Sequence, residues 1–218
     1  MDDYAVARET MVDGQVRPSD VTNRAVIDAM LQVPRERFVS ASKASVAYAD
    51  TSLEIAPGRK MLSPRVFAKL LDCAELGPED SVLDVGCGTG YSSAVISLVV
   101  RGVVGIESDE ALLSRAETTL SSLGLDNAAV VAAPLSEGIP DQAPFDKIII
   151  QGAIGTEPTA LLEQLAENGH LLAVVAGSGM SGAAYMWSKV GGTVSKRLAF
   201  SATASILQGF EPSPEFAF

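Results

Sequence analysis

The sequence holds a single histidine, His170, and only two cysteines, Cys73 and Cys87, among its 218 residues. One histidine is too few for a His-based zinc set and leaves a Ser-His-Asp triad unpromising, so no metal site is expected. The two thiols lack Cys-x-x-Cys spacing and read as reduced cysteines of a cytoplasmic protein. Basic side chains are scarce as well: 16 Lys/Arg stand against 27 Asp/Glu, a formal net charge of −11. A generic nucleic-acid binder needs the opposite balance, because phosphate neutralisation supplies much of its affinity, so no nucleic-acid partner is expected. Long apolar runs are also missing. No stretch approaches the roughly 18 residues of a membrane span. The opening MDDYAVARET lacks the apolar core of a secretory leader. No membrane partner is therefore expected.

What is present suits one packed domain spanning residues 1–218, since 47% of the residues are hydrophobic and 20% charged. The charge is uneven. Residues 1–70 carry 10 Lys/Arg and 9 Asp/Glu, while residues 71–218 carry 6 and 18. The two segments are therefore expected to face different surroundings, although net charge speaks to association and not to fold.

Up to residue 78 the pattern is helical apart from a looser stretch, 40–62, that contains Pro57–Gly58. Tyr4–Val16 has apolar residues at rough helical spacing and ends before Pro18. Ser19 and Asp20 are the expected caps of a second helix bearing Val21, Ala25, Ile27, Met30 and Leu31. Ser63–Pro64 opens a third, with Ser at the N-cap and Pro at the first helical position. From residue 79 strands and helices alternate. Strands are expected at 81–85, 102–106, 127–132, 145–150 and 170–176, with helices at 90–100, 109–123 and 158–166. Gly191–Gly192 separates two further strand-like runs, 184–190 and 193–200, as a hairpin would require. This order predicts an α/β fold with a mostly parallel sheet.

The most informative motif is Asp84-Val85-Gly86-Cys87-Gly88-Thr89-Gly90 at the end of the first core strand. Its glycines let the backbone turn tightly and approach a ligand closely. Glu107 ends the next strand, where a carboxylate can accept from both hydroxyls of a ribose. Two ligand classes compete for this pattern. A dinucleotide would want Gly-x-Gly-x-x-Gly and a pyrophosphate on the helix N-terminus. Here the spacing is Gly-x-Gly-x-Gly, and Asp84 would repel a pyrophosphate while suiting the sulfonium and ammonium of S-adenosyl-L-methionine. The cofactor-binding set from this pattern is then Asp84, Gly86, Cys87, Gly88, Gly90, Glu107, Ser108 and Gln151, with S-adenosyl-L-homocysteine as product. Gln151 is expected just past the carboxyl end of the fourth core strand.

These residues resemble the glycine motif and ribose acid of class I S-adenosylmethionine-dependent methyltransferases. A narrower resemblance covers most of the chain. Gln15-Val16-Arg17, Val33-Pro34-Arg35, Phe38-Val39, Ala47-Tyr48-Ala49-Asp50 and Pro144-Phe145-Asp146 are similar to blocks of the protein-L-isoaspartate O-methyltransferases. The resemblance implies a Rossmann-like sheet of seven strands with N-terminal helices and a C-terminal β-hairpin. It places residues 1–78 on the substrate side and the donor-binding core in 79–218. It also implies a repair enzyme that methylates the α-carboxylate of isoaspartyl residues in proteins and peptides.

Three positions depart from the family pattern. The family loop G-Q-T-I-S-(Q/A)-P has a Ser that contacts the substrate carboxylate; here Leu62 takes that place in Gly58-Arg59-Lys60-Met61-Leu62-Ser63-Pro64, and Ser63 lies one residue later. The family's G-D-G, whose Asp contacts adenine, falls on Ala133-Pro134-Leu135, so the resemblance adds Pro134 and Leu135 to the cofactor-binding set. Gln151-Gly152-Ala153-Ile154 replaces its T-A-A loop. Leu62 and Ser63 are therefore the candidate catalytic positions, and Ser63 is equally a helix cap. Arg59, Lys60 and Arg65 are candidate ligands for an anionic acceptor, or a solvated loop. A carboxylate acceptor is already ionised at pH 7, so its methylation needs no general base. Alternatives are a diverged methyltransferase with a small acidic acceptor and a non-catalytic donor- or product-binding protein. Phe210, Phe216 and Phe218 form an apolar tail that packs on the domain or on a second copy, so a monomer or weak homodimer is expected.

Overall fold

A computed structural model describes residues 3–177 and 182–212. Helix α1 spans Asp3–Met11, α2 Arg24–Gln32 and α3 Pro64–Ala74. A two-stranded antiparallel hairpin, β1 Leu53–Ala56 and β2 Arg59–Met61, lies between α2 and α3. The core then runs β3 Ser81–Val85, α4 Tyr91–Ser97, β4 Gly102–Glu107, α5 Glu110–Leu123, β5 Ala128–Ala132, β6 Phe145–Ile154, α6 Thr159–Glu163, β7 Leu165–Ala176, β8 Gly182–Val190 and β9 Thr193–Ser201.

The main sheet has seven strands in the order β5-β4-β3-β6-β7-β8-β9. Pairs within β5-β4-β3-β6-β7 are parallel, and β8 and β9 join as an antiparallel hairpin. The strand order reverses direction between β3 and β6. Such a switch point opens a crevice at the carboxyl ends of the strands, where α/β sheets bind ligands.

Both faces of the sheet are covered, which is why the strands read as continuous apolar runs. In Ile148-Ile149-Ile150 the side chains alternate between two cores. Ile149 packs with the N-terminal helices, while Ile148 and Ile150 join Leu83, Leu171 and Trp187. The first core takes in Met30, Phe67, Leu70 and Leu71 of α2 and α3. The N-terminal helices thus pack as a layer on one face of the sheet.

Local corrections concern boundaries. α1 ends at Met11, and the chain continues to Ser19 through one wide helical turn and one tight one, Val12–Val16 and Arg17–Ser19. Ser19 and Asp20 do not cap α2. Asp20 has φ 62, outside the extended region an N-cap needs. Asn23 does the work instead, its side-chain oxygen accepting from the amides of Ala25 and Val26 at 3.0 and 3.3 Å. Ser63 caps α3 through a bond from the Val66 amide, and Pro64 follows. β6 runs on to Ile154, so Gln151 lies within the strand and not past it. Its extension is paired on one side by the chain after β9: the Ala153 amide donates to the Ser205 carbonyl, and the Leu207 amide to the Ala153 carbonyl. Phe210 of the apolar tail is buried in the second core, while Phe216 and Phe218 lie outside the described residues.

Candidate functional site

The crevice forms where β3, β4 and β6 end. Gly86 and Cys87 close the turn after β3, both amides donating to the Ile106 carbonyl. Gly88 and Gly90 hold φ of +59 and +91, a left-handed backbone that disfavours other residues. Gly90 is the residue before α4, and a Cβ there would lie 3.3 Å from the Ala116 backbone of α5. Glycine at this point lets α4 and α5 pack closely.

Asp84, one residue before the end of β3, is fully buried. Ser92 and Ser93 at the start of α4 each donate a hydroxyl to its Oδ2 at 2.6 Å. Gln151 donates its amide to Oδ1 at 2.7 Å across the switch point. Burial pushes the Asp84 carboxyl up to about 6, against the opposing effect of these three donors. Asp84 thus ties α4 and β6 to β3 and is engaged within the protein.

Glu107 is also fully buried. Its Oε1 accepts from the Ser108 and Asp109 amides at 2.8 and 3.1 Å, and its Oε2 from the Gly88 amide at 2.9 Å. The same carboxylate is clamped by Arg59. Nη1 meets Oε1 at 2.5 Å and Nη2 meets Oε2 at 2.7 Å, a bidentate ion pair. Arg59, a candidate ligand for the acceptor by sequence, is therefore placed on Glu107.

The other expected residues separate. Cys87 is buried, and burial together with the charges of Asp84 and Glu107 pushes its thiol well up, which keeps it neutral and a weak nucleophile. Ser108 is exposed and contributes its amide. Pro134 is exposed in the turn after β5, while Leu135 beside it is a core residue 2% exposed. Leu62 is buried against the crevice, and its carbonyl accepts from Arg35 Nη2 at 2.6 Å. Arg65 is exposed and faces Asp50 at 3.8 Å. Lys60 is exposed and stands between the crevice and an open groove of about 370 Å³, whose wall includes Ser52, Val174, Thr203 and Ser205. His170 pairs in register with Lys147, toward the amino ends of the strands and away from the crevice.

Several residues that shape the site carry weak sequence signals. Ser92-Ser93 is a poor helix start, and such hydroxyls often serve a local acceptor. Arg35 is a fully buried cation under Tyr91, bonded to the carbonyls of Ala47 and Leu62. It holds the segments on either side of the β1–β2 hairpin. Ile55 covers Gly88, and Leu207 covers Gly86 and Gly152. These contacts are long-range, and no local pattern announces them. Among the described residues no cluster of three His, Cys, Asp or Glu is placed to hold a metal ion. Nor does any helix among them have the length and apolarity to cross a membrane.

With this geometry in view, the model of the family "Protein-L-isoaspartate(D-aspartate) O-methyltransferase (PCMT)" matches residues 7–198. The chain belongs to this family. A protein-L-isoaspartate O-methyltransferase of Roseiflexus sp. (strain RS-1) is 40% identical over 175 residues, 80% of each chain. One from Koribacter versatilis (strain Ellin345) is 39% identical over 78% of this chain and 76% of its own. The fold agrees with a solved protein-L-isoaspartate O-methyltransferase at a TM-score of 0.83, with 22% identity, covering 94% of this chain and 67% of that one. It agrees also with a Plasmodium falciparum protein assigned to the same enzyme type and solved with S-adenosyl-L-homocysteine. There the TM-score is 0.78 at 21% identity, over 92% of this chain and 98% of that one. The PCMT match takes in the N-terminal helices, the β1–β2 hairpin and most of β9, so these elements belong to the family's domain.

Proposed function

We propose that the protein is an S-adenosyl-L-methionine-dependent O-methyltransferase that esterifies the carboxylate of isoaspartyl residues in proteins and peptides, a protein-repair activity. The observation that carries this reading is the family match across residues 7–198 together with the buried Glu107 beside an open-backbone glycine turn. The glycine turn and Glu107 suit an adenosyl group once the side chains that cover them, Ile55 and Arg59, are displaced. A Cβ at Gly86 or Gly88 would run into the side chains that cover them, and Glu107 is the buried carboxylate able to take a ribose diol. When bound, the donor supplies an electrophilic methyl group on a sulfonium, with S-adenosyl-L-homocysteine as the leaving group.

The chain's own residues bind and orient. Glu107 would hold the ribose, while Asp84 keeps Gln151 and the start of α4 fixed around the crevice. An ionised acceptor makes a general base unnecessary. Rate then rests on alignment and on exclusion of water. The position of Lys60 at the boundary of crevice and groove supports a role in attracting the acceptor carboxylate. Leu62, standing where the family loop has Ser, supports a second reading in which the acceptor is a small acid.

The test uses an isoaspartyl peptide, its aspartyl counterpart and a donor labelled in the methyl group. The reading expects a base-labile label on the isoaspartyl peptide alone. Label only on a small carboxylic acid favours the second reading, and donor binding without transfer contradicts both.

A further inference from the structure

The carboxylate of Glu107 is saturated. It receives five donors: the amides of Gly88, Ser108 and Asp109, and two from Arg59. A carboxylate offers about four lone-pair sites, so a ribose diol has to replace a donor and is not simply added. The three amides belong to the turns after β3 and β4 and are fixed. Arg59 is the exchangeable one, because it rides on the β1–β2 hairpin.

That hairpin covers the crevice. Ile55 Cδ1 sits so near Gly88 that a Cβ there would lie 2.5 Å away. The enclosed space left among Ile55, Met61, Gly88, Tyr91 and Gln151 is about 20 Å³, against about 370 Å³ for the neighbouring groove. The hairpin thus leaves little room above the glycine turn. The hairpin itself is slight. It has four and three residues per strand and a register break between Glu54 and Ala56. Two-stranded ribbons of this kind have little independent stability. Its ends are anchored, with Leu53 and Leu62 buried in the first core, while Pro57, Gly58 and Lys60 at and beside its tip are exposed. Anchored ends and a light tip let the tip swing.

We infer that the β1–β2 hairpin is a latch on the donor site, in which Arg59 occupies the ribose acid Glu107 and must release it before an adenosyl group binds. This rests on the reading that the donor binds at Glu107. The latch makes the binding-competent state a minority of the population. Apparent affinity is then reduced by the open fraction, so unlatching restores it. Arg59 thereby sets the donor concentration at which the enzyme loads.

The experiment is a calorimetric titration of the full chain with S-adenosyl-L-homocysteine, in wild type, Arg59→Gln and Ile55→Ala. Glutamine is the residue of the family loop at this position. The latch predicts that Arg59→Gln tightens binding by about tenfold or more, as expected when a competent fraction of one in ten becomes fully populated. Ile55→Ala is expected to tighten it by a smaller factor. Amide exchange over Leu53–Met61 should rise in wild type on adding the product. If wild type binds and Arg59→Gln binds equally or more weakly, the latch is wrong and the donor site stands. If no variant binds, latch and donor site fall together. Should Arg59→Gln not fold, Ile55→Ala and the exchange measurement decide: unchanged affinity with a protected hairpin overturns the latch.

Discussion

At the scale of single residues, two buried groups carry opposite lessons. Leu62 is 4% exposed and packs in the first core. Leu62→Ser restores the family hydroxyl and removes buried apolar surface. It is expected to raise kcat/KM on an isoaspartyl peptide while costing about 2–5 kcal/mol in urea unfolding, the range of large-to-small core changes. Asp84 bears on pH. Its carboxyl is raised from 3.8 to about 6 in the folded chain, so the native state binds this proton more tightly than the unfolded state does. Its contribution to stability is fullest below about pH 4 and is lost as pH rises through about 6, a difference of about 3 kcal/mol. Asp84→Asn does not titrate. The stability of this variant relative to wild type should therefore climb between about pH 4 and 6 and then level off, as read by urea unfolding at stepped pH. A difference that stays flat contradicts a buried, titrating Asp84. Spacing in the sequence singles out Asp84 and Glu107, and the structure buries both carboxylates near the glycine turn. Their partners escape spacing, because Ser92, Ser93, Gln151 and Arg59 reach them through tertiary packing that it does not encode.

At the scale of elements, caps and turns decide where helices begin. Asn23 accepts two amides at the start of α2, whereas Asp20 stands in a left-handed turn. Asn23→Ala should cost about 1 kcal/mol of stability by thermal or urea unfolding, and Asp20→Ala far less at that helix. The reverse order would restore the cap assignment made from sequence. Ser63–Pro64, Gly90 and the Gly191–Gly192 hairpin were legible because each demands a specific backbone. The length of β6 was not. Its last residues are held by Ser205 and Leu207, more than 50 positions downstream in the chain. Apolar runs mark the strands of the main sheet, whereas β1 and β2, four and three residues long, lie in a stretch with no such run. Such runs do not say that β1–β2 folds over the glycine turn, since that contact is made by one arginine and one isoleucine.

At the scale of the whole molecule, the family match over residues 7–198 spans the N-terminal helices and most of the seven-stranded sheet whose switch point forms the crevice. Any molecule that binds only the native state stabilises it by mass action. S-adenosyl-L-homocysteine at one hundred times its Kd should add about 2.7 kcal/mol. That corresponds to a Tm rise of about 5–10 °C for a chain of this size. NAD at the same concentration should leave Tm unchanged, and a matching rise with NAD would reopen the dinucleotide reading of the glycine motif.

All of this depends on Glu107 as the group that grips the adenosyl ribose. The most direct measurement is a calorimetric titration of S-adenosyl-L-homocysteine into Arg59→Gln, where no arginine competes for Glu107, and into Arg59→Gln/Glu107→Ala. The account predicts that Arg59→Gln binds and that the double variant is weaker by about tenfold or more, since hydrogen bonds to a charged acceptor are lost. Equal or tighter binding by the double variant would contradict it.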